Sequence, residues 1–153
     1  MTPRWRRVAL LSCRIGVSLV LLIAGLQKVG APADFARAVG GYQLLPLFGV
    51  AVVGLVLPWL EIVVAICLLV DLLPACAALL AVVLAVAFEI GIVSAILRGL
   101  DIRCGCFHDE SNVSWVHAGL DLVLLVAALA LFVSAVRFAG PGAVPTCERE
   151  SAP

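Results

Sequence analysis

The sequence predicts an all-α fold, an integral membrane bundle of four transmembrane helices, and three observations point to it. Hydrophobic residues make up 64% of the 153 positions and charged residues 13%, against roughly 45–50% and about 25% in soluble domains. The excess is spread along the chain as four apolar runs, about 8–27, 47–70, 74–97 and 115–138. Each is as long as the ~20 residues that cross a ~30 Å hydrocarbon core. With no water to satisfy the backbone there, runs of this length must close their own hydrogen bonds as helices and pack on one another.

The first run follows the basic stretch "MTPRWRR" and so imitates a secretory signal. It is expected to remain as an anchor, because no small-residue cleavage site follows and Arg14 interrupts the apolar residues. Pro58 lies inside the second run and should kink that helix or be accommodated by a neighbour. Pro74 starts the third, where a missing N–H costs nothing. Trp115 opens the fourth and reads as part of an aromatic belt, with His117 beside it at the interface. Residues 1–140 then form one membrane domain and 141–153 a polar tail, with no internal repeat and no linker long enough to divide the chain.

Arg4, Arg6 and Arg7 precede the first helix, and Arg137 and Arg149 lie at or beyond the end of the fourth. An even number of spans and this bias put both termini in the cytoplasm and loops one and three outside. Cys104 and Cys106, in loop three, then face an oxidising compartment. Cys13, Cys67 and Cys76 fall near the cytoplasmic helix ends and read as small packing residues, with Cys147 in the inner tail. Ten basic and ten acidic residues cancel, so nothing suggests nucleic acid as a partner; the expected surroundings are membrane lipid.

Four charged residues, Arg14, Glu61, Glu89 and Asp121, lie inside the spans. Each costs ~2.5–3.5 kcal/mol near the bilayer centre unless paired, neutral or hydrated. Measured from the cytoplasmic helix ends, Arg14 and Glu61 come to similar depths, which predicts a structural ion pair. Glu89 and Asp121 lie nearer the outer ends, with Lys28 and Arg98 as candidate partners. They are either structural or proton acceptors for thiols above them.

The remaining polar island is "LRGLDIRCGCFHDESNVSW", residues 97–115. Two thiols one residue apart close only a small, strained and easily reduced ring. Gly105 relaxes the backbone, and Arg103 favours a thiolate. These features suit an exchangeable pair. A structural disulfide is a rival reading, although so short a loop gains little from closure. Cys104, Cys106 and His108, with His117 nearby, also make a weak copper or zinc set. No resident cofactor is evident; a quinone would suit an apolar, membrane-embedded bundle as electron acceptor.

"RIGVSLVLLIAGLQKVGAPADFARAVGGYQLLP", "LPWLEIVVAICLLV" and "LRGLDIRCGCF" followed by "SW" resemble the methylamine utilisation protein MauE family, part of the wider DoxX-like group of four-helix membrane proteins. The likeness runs from about Arg14 to Asp121 through Gly25, Lys28, Tyr42 to Pro46, Pro58 to Glu61 and Arg98 to Phe107. The resemblance implies disulfide handling outside the bacterial cytoplasmic membrane. Namesake members are needed to make methylamine dehydrogenase, whose small subunit is rich in disulfides, together with a thioredoxin-like protein. Three function classes follow. The first is a redox component joining Cys104 and Cys106 to a thioredoxin-fold partner and a disulfide-bearing client. The second is a non-enzymatic scaffold for a maturation factor, and the third a metal-binding or transport protein. Against transport, there is no inverted repeat and no matched pair of broken helices.

Overall fold

A computed structural model of the chain describes residues 3–100 and 114–139. Five helices follow in order: α1 (Pro3–Gly30), α2 (Pro32–Gly41), α3 (Leu47–Leu69), α4 (Pro74–Leu97) and α5 (Trp115–Ala139). All but α2 are long and apolar enough to cross a membrane, so the protein is a multi-pass membrane protein. The expected spans agree closely with α3, α4 and α5, whereas α1 starts earlier and ends later. Pro58 is buried and α3 runs through it unbroken, so its lost hydrogen bond is accommodated by close packing rather than by ending the helix.

The four long helices close a ring in which α1 packs on α3, α3 on α4, α4 on α5 and α5 back on α1. Between bilayer helices no hydrophobic force acts, so small residues that let backbones approach decide the contacts. On α4 the buried set is mostly alanine (Ala77, Ala78, Ala81, Ala85 and Ala95), and Ala128 of α5 joins the same core. On α1 the close approach is Gly25, where a Cβ would stand 2.9 Å from the Pro58 carbonyl oxygen and 2.8 Å from Ile62 Cγ1 of α3.

That approach sets the register of the antiparallel α1–α3 pair. Going down α1 from Gly25 to Arg14, α3 passes from Pro58 to its end, where Arg14 meets Asp71. The first turns of α1 therefore extend beyond the end of α3, and the other end of α1 stops short of α3's first turns. The short helix α2 fills that gap, with Ala36 against Gly54 and Gly40 beside Val50. Pro32 starts α2 in its first turn and Phe35 is its buried anchor. A tight turn joins α3 to α4 through Asp71 and Leu73, both left-handed with φ of 60° and 47°. An Asp tolerates that region better than a Leu does.

Candidate functional site

Lys28 and Glu61 form a fully buried polar contact. The Lys28 ammonium donates to Glu61 Oε1 at 2.5 Å, and the side chains are 3% and 0% exposed. Lys28 Nζ also lies 4.6 Å from the Phe88 ring centroid and 5.3 Å from that of Phe35, so two aromatic faces share its charge. One group thereby ties together α1, α2, α3 and α4. Glu61 Oε2 is buried without a hydrogen-bond partner.

This overturns the expected Arg14–Glu61 pair. Arg14 bonds to Asp71 instead, near the end of the bundle where both side chains keep some exposure, 24% and 57%. Depths counted from flush helix ends misplace Arg14, because α1 overshoots α3 there and sits lower than its length suggests. Lys28 in turn is taken by Glu61 rather than by Glu89 or Asp121. Arg98 reaches across to the α2–α3 connection, donating to the Tyr42 carbonyl at 2.9 Å and to Gln43 Oε1 at 3.3 Å. Gln43 has a φ of 51°, so this clamp holds a strained turn.

Glu89 and Asp121 come to one level of the α4–α5 pair. Ile92 of α4 and Ala118 of α5 share a core cluster with Ile96. Glu89 is one turn before Ile92 and Asp121 one turn after Ala118, which in antiparallel helices is the same step. Each carboxyl has a buried oxygen, and Glu89 Oε2 has no hydrogen-bond partner. Both lie about two turns below the helix ends that lead into residues 101–113.

Cys104, Cys106 and His108 lie outside the described residues, as do Arg103 and Cys147. His117 is described: its Nδ1 is 2.9 Å from the Ser114 hydroxyl at the start of α5. Cys13 and Cys67 pack against the main core cluster, and neither they nor Cys76 forms a disulfide.

Among the described residues, two cavities of note flank the core. One, of about 240 Å³, lies between α2, α3 and α4 and is lined by Phe35, Tyr42, Leu57, Ala87, Phe88 and Gly91 among others. The other, of about 390 Å³, opens at the opposite end beside Arg14 and Asp71. Neither was foreseeable from spacing, since each draws its walls from three or more separate elements. The buried Lys28–Glu61 pair left one trace in the sequence, Gly25 one turn before Lys28, where a Cβ would stand 3.3 Å from Glu61 Cβ.

The geometry can be set beside known proteins. The chain is 34% identical over 148 residues to the methylamine utilization protein MauE of Paracoccus denitrificans, covering 95% of this chain and 77% of that one. It is 40% identical over 124 residues to the MauE protein of Methylophilus methylotrophus, covering 78% of this chain and 64% of that relative. It therefore spans less than two thirds of the second relative's length. No solved structure matches it. The family profile described as methylamine utilisation protein MauE matches residues 6–134, most of the membrane bundle, and with these likenesses it establishes that the chain belongs to the MauE family.

Proposed function

We propose that this protein is a membrane component of thiol–disulfide handling outside the cytoplasm, with Cys104 and Cys106 as its exchangeable pair. The observation that carries the reading is the Cys104-Gly105-Cys106 run itself, joined in sequence at both ends to the close-packed α4–α5 pair, with the Glu89 and Asp121 carboxyls at one level beneath. A thiolate of a thioredoxin-fold partner attacks the Cys104–Cys106 disulfide, giving a mixed disulfide and releasing one thiolate of the pair. The partner's second cysteine then attacks its own neighbour's sulfur, so the partner leaves as a disulfide and the pair as a dithiol. Glu89 or Asp121 serves as acceptor for the thiol protons. The client is a disulfide-bearing protein matured outside a bacterial cytoplasmic membrane, and the relatives' printed names make methylamine utilisation the first pathway to try.

Alkylation of thiols in cells, read as a mass shift, tests this directly. The pair should be partly oxidised, and Cys104→Ser or Cys106→Ser should each abolish client maturation with membrane abundance nearly unchanged, since so short a ring stabilises little. One single variant should also trap a mixed disulfide with its partner. Client maturation by the double serine variant would leave the scaffold reading in its place.

A further inference from the structure

We infer that the cavity between α2, α3 and α4 is the docking site of a lipid-soluble quinone, which accepts the electrons of the Cys104–Cys106 pair. The inference rests on the thiol reading above, because a pair reduced in each round of client oxidation needs an oxidant. Reoxidation breaks two S–H bonds and forms one S–S bond, releasing two electrons and two protons. A quinone takes up both and becomes the quinol, so the step balances with no further reactant.

Four observations favour this occupant. The cavity walls are almost wholly apolar, so they suit a molecule that arrives through the bilayer and not through water. Three of the lining side chains, Phe35, Tyr42 and Phe88, carry rings, and flat π systems pack well on such faces. Space for a ring is left by small residues at Ala38, Ala87 and Gly91.

The fourth observation is electrostatic. The buried Lys28 ammonium contacts both Phe35 and Phe88, the same rings that wall the cavity. The ammonium is paired with Glu61, so the group is neutral overall, but its positive end is the one against the rings, and that dipole polarises a flat π system stacked on them. An acyl chain has no π system to present to that dipole. The cavity is also close to the electron donor in sequence terms. Gly91 lies seven residues before Arg98, about 10 Å along α4, and Arg98 holds the Tyr42 carbonyl at the same end. The other cavity, at the opposite end, is lined by Arg14 and Asp71 and by no aromatic ring among the described residues.

The test uses the full chain in lipid nanodiscs and a photoreactive azido-benzoquinone with a short alkyl tail, its attachment mapped by mass spectrometry. Label should concentrate on peptides containing Phe35 to Leu45 and Ala87 to Gly91, in the native protein and equally in the Cys104→Ser/Cys106→Ser variant. Two cavity-filling variants on different helices, Gly91→Leu and Ala38→Phe, should each lower that labelling about tenfold. Gly91→Ala should keep it, because a Cβ there meets only the Tyr42 ring, at 3.7 Å. Quinol formation from the reduced native protein, followed by absorbance, should be lost in the filled variants, which should still form the mixed disulfide with a thioredoxin-fold protein. Label spread evenly over the lipid-facing helices, or unchanged by filling, would overturn the quinone site and leave an acyl chain as occupant. Intact labelling without any mixed disulfide or quinol would overturn the thiol reading instead, and the electron route with it.

Discussion

Glu61 and Lys28 illustrate how a single contact changes the cost of two charges. Alone in hydrocarbon each would be expensive, and together they still depend on full geometry. Glu61→Ala leaves the ammonium among Phe35 and Phe88 without its carboxylate, and should lower stability by ~3–5 kcal/mol. Combining it with Lys28→Met should recover part of that loss, because the orphaned charge is gone. Reversible unfolding in mixed micelles measures both; strictly additive losses would mean that the two side chains are not coupled. Removing Arg14, whose Asp71 partner is half exposed, should cost far less, about 1 kcal/mol or below.

At the scale of helices, the α1–α3 approach depends on one missing side chain. Gly25→Ala drives a methyl group against the Pro58 carbonyl, a backbone atom that cannot turn aside. The expected loss is ~1–3 kcal/mol. Gly16→Ala on the same helix meets nothing within 4 Å and should be neutral or slightly stabilising. Thermal unfolding of the two variants in detergent separates the packing effect from helix propensity. The spans were legible in the sequence because twenty apolar residues leave a bilayer segment little choice. Helix α2 was not, since ten residues with an Asp34–Arg37 pair and a Gly-Gly end look like a loop. The charge pairing was misread for a related reason: α2 displaces α1 along α3, and no spacing within either run records that offset.

The molecule as a whole has a side for each kind of chemistry. The cavity between α2, α3 and α4, the Arg98–Tyr42 clamp and the Glu89 and Asp121 level all lie toward the end where the cysteine run joins α4 and α5. Arg14, Asp71, Cys13, Cys67 and Cys76 gather at the other. If both termini are cytoplasmic, an impermeant thiol reagent on intact cells should reach Cys104 or Cys106 after reduction and leave Cys147 unlabelled until lysis. Labelling of Cys147 alone would invert the arrangement. The Cys104-Gly105-Cys106 run stands out in the sequence by composition, as two thiols in a polar island, and it lies outside the described residues. The cavity does not stand out there, because Phe35, Leu57 and Phe88 meet only through the folded ring.

The Lys28–Glu61 contact also imposes an order of events during synthesis. The two residues are separated by 33 positions, which a ribosome takes roughly 2–7 s to add at ~5–20 residues per second. During that interval the first helix carries an uncompensated ammonium near its C-terminal end, where its aliphatic stem allows the charge to reach up to the headgroups. Phe35 arrives first, Glu61 second and Phe88 last, each from a later helix. The full set of Lys28 contacts can therefore close only after the fourth helix has been made, so a chain that stops before Phe88 should hold the first helix less firmly than the complete bundle does.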